Sequence, residues 1–443
     1  MTTTRRLHII HANAIYAPFL ITVVFWLWSK TRVGGWDVSI WQGTSQILAL
    51  LVLTSFSILM VIAARNRAVE KLYGGLDKSY KTHGILAKWA IIGMILHPLL
   101  LIPVLVGRGI PWYGALVPIG PWPEGYEMAR WFGVISFYMF LVLTAMTLWR
   151  KIGYQQWLFT HKFMGLAFLF AAIHTYMAAS DVKAFEPLRT WVTIMVVAGL
   201  SAWVYKSLFY HWAAQQYRYV VDEVNNMGKG IVEIVLSPVR ERMNYEPGEF
   251  GFISVRGNPE IPAELHPFSF SSSPDRYRLR FSIREAGDYT SKLKHLKKGD
   301  PVVVYGPYGE FSSYVLDEFK DQVWIAGGIG VTPFLSMLGH ERDEDSHKKI
   351  TLFYAGNNKS DLVYDPEIEE LSVQTSSWLR YVPWLSEKEG FLTADAIEKI
   401  VGNLDDKAFL FCGPPPMMAA LKKQLMAKGV PANKIFFEEF NFV

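Results

Sequence analysis

Apolar residues crowd the first half of the chain into six long runs, at about residues 12–29, 45–64, 84–106, 128–148, 157–179 and 190–210. About 20 consecutive apolar residues cross the ~30 Å hydrocarbon core of a bilayer as one helix, so these runs predict six transmembrane helices. The first run is too long for a cleavable signal peptide and has no clear small-residue cleavage site. Beyond residue 212 the pattern changes. Short β-rich runs at 217–224, 230–236, 250–255, 277–283 and 301–305 are punctuated by turn signals such as Pro247-Gly248 and Gly299-Asp300, which predicts a small antiparallel barrel. From about residue 320 strands alternate with helices: strands at 323–326, 350–354 and 408–411, helices at 333–338 and 417–427. That alternation predicts an open, mostly parallel sheet.

Composition and charge add limits. Half of the residues (51%) are hydrophobic, with the excess in the first half, as a membrane domain requires. A net charge of +4 without a basic, aromatic-rich patch gives no footprint for nucleic acid. The single cysteine, Cys412, excludes an internal disulfide. Lys and Arg favour a cytoplasmic N-terminus: Arg5, Arg6, Arg65, Arg67, Lys71, Lys78, Lys81, Arg150 and Lys151 would lie inside, against Lys30, Arg32, Arg108, Lys183 and Arg189 outside. Six spans then return the C-terminal half to the cytoplasm, and the protein is expected in the inner (plasma) membrane.

Four histidines lie inside the apolar runs. His83 and His97 are fourteen residues apart, and His161 and His174 thirteen. An imidazole within a membrane is costly unless it binds something. Matched pairs on two helices suggest two haem irons, each held by one His from each helix. At about 1.5 Å per residue the two levels are roughly 20 Å apart. The parallel helices pair His83 with His161 on the inner side and His97 with His174 on the outer side. Thirteen residues leave His174 far round an ideal helix from His161, so that helix needs a bend, a wide turn or compensating rotamers.

The second half carries three further motifs. Ala326-Gly327-Gly328-Ile329-Gly330-Val331-Thr332-Pro333, between a strand and a helix, lets a pyrophosphate approach the helix N-terminus. His266-Pro267-Phe268-Ser269-Phe270 and Arg284-Glu285-Ala286-Gly287-Asp288-Tyr289-Thr290 read as two sides of a flavin site. A serine hydroxyl can bond the isoalloxazine edge, and an arginine with a helix N-terminus can hold the pyrophosphate.

On these residues, together with the loop from Leu72 to Tyr80, the Cys412-Gly413-Pro414 turn and the aromatic end Glu438-Glu439-Phe440-Asn441-Phe442, the chain resembles the NADPH oxidase and ferric reductase superfamily, in particular its compact bacterial members. The resemblance implies a six-helix transmembrane di-haem domain over 1–212, an FAD-binding β-barrel domain over 213–318 and an NAD(P)-binding α/β domain over 319–443, the last two forming a ferredoxin-reductase-like module. It implies that Ser269 bonds the reactive edge of FAD and that His266, Pro267 and Phe268 line it. Arg284, Gly287 and Thr290 would hold its phosphates. Gly328, Gly330 and Thr332 would carry the nicotinamide nucleotide, with Cys412 and Gly413 beside its ring. Phe440 would stack on the flavin, with Phe442 as competitor. In Asn357-Asn358-Lys359-Ser360, after the second strand, there is neither an arginine for a 2′-phosphate nor an acid for a free ribose, so NADPH and NADH are both expected as donors. Arg108 and Arg130 are candidates to steer an anionic acceptor or to pair with a haem propionate.

The expected function is electron transfer from NAD(P)H through FAD and two b-type haems to an acceptor on the outer face. Dioxygen, giving superoxide, is favoured over a ferric chelate or a periplasmic electron-accepting protein. A haem carrier or sensor without turnover has no need of the flavin and nucleotide motifs. The membrane bilayer and a small acceptor are the expected partners; no obligate protein partner is evident.

Overall fold

A computed structural model of the chain describes residues 3–33, 39–117, 126–149, 151–178, 180–311, 319–344 and 346–438. Residues from His8 to Ala213 form one compact unit, and those from Ala214 onward belong to a second.

The first unit is helical. Its elements are α1 (Thr3–Arg32), α2 (Ile40–Ala63), α3 (Arg67–Tyr73), α4 (Leu76–Gly107), α5 (Tyr126–Leu148), α6 (Tyr154–His161), α7 (Met164–Met177), α8 (Asp181–Ala184), α9 (Glu186–Val204) and α10 (Tyr210–Ala213). Six stretches, His11–Arg32, Ile40–Ala63, Lys78–Gly107, Met128–Leu148, Tyr154–Met177 and Glu186–Ala213, are long and apolar enough to cross a membrane. In lipid a polar side chain must find its partner inside the protein. Trp191 Nε1 therefore donates to Thr22, whose hydroxyl bonds Thr54, which links α9, α1 and α2. Lys30, counted above among the outer charges, is instead buried, 2.6 Å from Asp181 and donating to Gln46.

The fifth span is broken between its histidines, which answers how a thirteen-residue spacing is accommodated. α6 ends at His161 and α7 starts at Met164. Phe163 N donates to Thr160 O, so the intervening turn is tightened. The Lys162 carbonyl takes the indole N–H of Trp203 at 2.8 Å. Gly165 makes room for that indole: a Cβ there would lie 2.2 Å from the Trp203 ring.

The second unit holds two sheets. Strands β1 (Gln216–Gly228), β2 (Ile231–Pro238), β3 (Phe250–Val255), β4 (His266–Ser269), β5 (Leu279–Arg284) and β6 (Pro301–Tyr308) form an antiparallel half-barrel in the order β4-β3-β6-β1-β2-β5. An isolated bridge from Phe270 to Phe281 draws its two ends together. Buried Val221, Ile234, Ile253, Phe281 and Val304 fill its core.

Strands β7 (Asp321–Gly327), β8 (Lys349–Gly356), β9 (Leu379–Leu385), β10 (Ala408–Cys412) and β11 (Ile435–Glu438) form a parallel sheet in the order β11-β10-β7-β8-β9. It is accompanied by α11 (Thr332–Asp343), α12 (Asp365–Gln374), α13 (Ser386–Glu389), α14 (Ala394–Val401) and α15 (Pro415–Ala427). Both of its faces are apolar, with Trp324, Leu352 and Leu410 on one and Val323, Phe353 and Phe409 on the other. The chain runs β7, β8, β9 in one direction and then returns to β10 on the other side of β7. The crevice at the carboxyl ends of β7 and β10 is thus the topological switch point, where ligands of such sheets bind.

A buried polar latch joins the sheets' surroundings. The Tyr364 hydroxyl lies within hydrogen-bond distance of both the Ser282 hydroxyl, at 2.5 Å, and the Glu233 carboxylate, at 3.2 Å. Arg280 grips Glu367 through both terminal nitrogens, at 3.0 and 2.9 Å, and bonds the Ser271 carbonyl.

Candidate functional site

In the helical unit the four histidines form two pairs. The rings of His83 and His161 lie 6.4 Å apart between centroids, tilted by 51° to one another. An imidazole nitrogen binds a metal at about 2 Å and lies about 1 Å from its ring centre, so two imidazoles on opposite sides of one ion have centres about 6 Å apart. His97 has His174 as its electrostatic neighbour.

Most of these rings are oriented through Nδ1. His97 Nδ1 bonds the Ser45 carbonyl at 3.0 Å and its hydroxyl at 2.8 Å. His174 Nδ1 bonds the Ala129 carbonyl at 2.7 Å. His161 Nδ1 lies 3.4 Å from the Thr147 hydroxyl, and His83 bonds the backbone of Leu59. A ring fixed through Nδ1 presents Nε2 to a metal, which is how ligating histidines are held. Gly133 gives His174 its place, since a Cβ there would lie 2.8 Å from Nδ1. Between the two levels Ala90, Ala167 and Phe168 are buried, Phe56 stacks on Phe140 at 4.1 Å, and the buried hydroxyls of Thr54, Ser55, Ser57 and Ser136 each donate to a backbone carbonyl. The donor set and its orientation fit two bis-imidazole haems. Arg130 donates to the Gly114 carbonyl and is an electrostatic neighbour of His174.

In the second unit Ser269 closes β4, paired with Phe250 of β3. Its hydroxyl is buried and has no hydrogen-bond partner among the described residues. A buried orphan hydroxyl is costly without a ligand, so this is a fit for a flavin edge. Pro267 and Phe268 lie beside it, half-buried. His266 stacks on Tyr289 at 3.8 Å and bonds Glu264 at 2.9 Å.

Arg284 ends β5, and its guanidinium reaches the nucleotide turn: a Cβ on Gly328 would lie 3.3 Å from it. The helix N-terminus expected after Gly287 is instead a short 3-10 turn, Thr290–His295. The Thr290 hydroxyl accepts from the N–H groups of Ala286 and Gly287, so its first task is to close that turn.

At the switch point the glycines are where backbones touch. A Cβ on Gly330 would lie 2.3 Å from the Cys412 carbonyl oxygen, and one on Gly413 would meet Gly327 at 3.0 Å. Thr332 begins α11, donating to the Ile329 carbonyl. Cys412 ends β10, in register with Ala326 and Glu438. Burial and then the Glu438 carboxylate push its thiol well above the usual range, so it is a neutral group. Phe440 and Phe442 lie outside the described residues.

The loop after β8 contains a feature the sequence reading missed. Asp361 accepts from the N–H groups of Asn357 and Asn358, and Lys229 from the barrel lies 3.6 Å from it. An acid therefore does stand at this position, four residues beyond Asn357.

Comparison with known proteins follows the same division. Residues 48–172 match the ferric reductase like transmembrane component, 216–312 an FAD-binding domain and 324–423 an oxidoreductase NAD-binding domain.

The chain has the architecture of the NADPH oxidase and ferric reductase superfamily.

It is a transmembrane, NAD(P)H-driven, FAD-dependent reductase of that type. Among similar proteins, the gamma subunit of sulfhydrogenase 2 from Pyrococcus furiosus is 28% identical over 215 residues, 45% of this chain and 73% of that protein. The reductase component of propane 2-monooxygenase from Rhodococcus jostii is 30% identical over 246 residues; the match takes in 51% of this chain and 64% of that protein. A flavohemoglobin structure from Malassezia yamatoensis matches 91% of this chain and 99% of its own at a TM-score of 0.51 and 15% identity, a likeness of fold alone.

Proposed function

We propose that this reductase carries electrons from NAD(P)H across the membrane, through FAD and two b-type haems, to dioxygen on the outer face. The reading rests on one observation above others: four histidines in two pairs, each hydrogen-bonded so as to offer its remaining nitrogen. His83 and His161 would hold the inner haem, His97 and His174 the outer one. The N-terminus and the dehydrogenase half would be cytoplasmic, with division into 1–212, 213–318 and 319–443.

Ser269, His266, Pro267, Phe268, Arg284, Gly287 and Thr290 would hold FAD. Gly328, Gly330, Thr332, Cys412 and Gly413 would hold the nucleotide, and Phe440 would cover the flavin. When bound, flavin accepts an electron pair and releases single electrons, and each haem carries one. The chain supplies orientation and dryness. The Nδ1 bonds fix the imidazole planes, and the packed layer around Phe56 and Phe140 keeps water from between the two levels. Ser269 offers a hydroxyl already stripped of water. Cys412, held neutral, gives the nicotinamide ring an uncharged neighbour. His97 and His174 would both be engaged in holding the outer haem, which would supply electrons one at a time, so dioxygen would gain one electron and leave as superoxide.

The test is cytochrome c reduction by the purified protein with NADPH under air. Superoxide dismutase is expected to suppress most of the signal. A rate insensitive to the dismutase, with a ferric chelate reduced much faster without oxygen, would make the acceptor a ferric chelate instead.

A further inference from the structure

The sequence of the loop after β8 favours neither NADPH nor NADH. The structure brings a second element to that loop. The hairpin between β1 and β2 runs Met227-Gly228-Lys229-Gly230, and Met227 packs against the core of the nucleotide sheet. Its tip thereby carries Lys229 to 3.6 Å from Asp361.

Two features of this arrangement point to a ligand. The first is the backbone. Gly228, Lys229 and Gly230 all have positive φ, +83°, +52° and +68°. Glycine or asparagine occupies the left-handed region at less cost than lysine, so the position keeps a lysine against its backbone preference. The second is the place. In a doubly wound sheet the residues beyond the second strand face the adenosine ribose: an acid there bonds a free 2′-hydroxyl, and a cation there takes a 2′-phosphate. Asp361 holds the acid's position, yet one of its oxygens is occupied by the N–H groups of Asn357 and Asn358 and the other faces Lys229. The loop's own lysine, Lys359, is mostly exposed and lies 3.9 Å from Asp365.

We infer that Lys229, reaching over from the flavin barrel, is the residue that reads the 2′-phosphate of NADPH. This deepens the proposed function and rests on NAD(P)H being the donor. Lys229 is a positioned point charge on a flexible stem, beside a carboxylate that repels phosphate, so it gives a moderate preference and not an absolute one. A 2′-phosphate would replace Asp361 as the lysine's counter-charge. A free 2′-hydroxyl would leave the Lys229–Asp361 pair intact and use the same loop without it. One site then serves both donors, and the preference is set by the hairpin.

The experiment is steady-state oxidation of NADPH and NADH by the full-length, FAD-loaded protein with a soluble acceptor, for wild type, Lys229→Gln, Lys229→Arg, Lys229→Gly and Lys359→Gln. Lys229→Gln is expected to raise KM for NADPH about three- to tenfold, with kcat and the NADH constants within about twofold, because only the charge–phosphate contact is lost. Lys229→Arg should keep the wild-type ratio. Lys229→Gly, which relieves the backbone, should lose the ratio as Lys229→Gln does. Inhibition by 2′,5′-ADP should weaken in step, while inhibition by 5′-ADP stays unchanged. Equal changes for both nucleotides, or none, overturn the assignment, and a selective loss in Lys359→Gln alone transfers the role to Lys359. A wild-type protein that oxidises neither nucleotide overturns the donor reading itself, and this one with it.

Discussion

In the membrane half the candidate ligands already hold hydrogen bonds that leave one ring nitrogen over, whereas in the dehydrogenase half Ser269 keeps its hydroxyl buried and without a partner. The difference follows from the surroundings. In hydrocarbon an imidazole that is not oriented would turn toward any available carbonyl, so the protein supplies that carbonyl on the far side of the ring, from Ser45 and Ala129. In the half-barrel the strand ladder fixes Ser269 through its backbone, so its side chain needs no second anchor. The switch point works in a third manner, by omission: lacking side chains, Gly330 and Gly413 let the turns after β7 and β10 touch backbone to backbone.

Each half can be broken on its own terms. The largest effect is expected from His97→Ala or His174→Ala, which should each remove one whole haem equivalent and leave the His83–His161 spectrum. Haem titrated as its pyridine adduct checks this; two haems retained in either variant would refute the pairing. Gly330→Ala comes next. Its Cβ meets backbone, which cannot swing away, so a loss of about 1–3 kcal/mol is expected together with a large rise in nucleotide KM. Gly287→Ala is the contrast: nothing lies within 4 Å of its Cβ, and thermal unfolding should be almost unchanged. The smallest effect belongs to Ser45→Ala. It removes the hydroxyl but not the carbonyl that holds His97, so haem affinity should fall by at most about tenfold, the low end for an outer-shell partner. A greater loss would mean that the hydroxyl and not the carbonyl orients the ring.

The two halves also differ in how much of them the sequence disclosed. Six spans and four histidines were readable because long apolar runs and ionisable residues within them are strong signals. The break between α6 and α7 was not. The segment Thr160-His161-Lys162-Phe163-Met164-Gly165 has no proline, and the interruption depends on Trp203, distant in sequence but packed onto Gly165. In the second half the central strands β7, β8 and β10 were legible as short apolar runs. The edge strands β9 and β11 were not, one carrying Pro383 and the other only four residues long. The helix expected after Gly287 is a 3-10 turn because the Thr290 hydroxyl ties it to Ala286 and Gly287. Asp361 and Lys229 escaped because their meeting is spatial, across 132 residues of chain, as subtraction of their numbers shows.

The central claim is that one chain joins a nicotinamide-driven flavin to two bis-histidine haems. Anaerobic addition of NADPH to the purified, FAD-loaded protein tests it most directly, with the haem spectrum recorded and haem counted against protein. The account predicts two low-spin haems per chain, both reduced. One haem or none, or two that stay oxidised while NADPH is present and FAD is bound, would contradict it.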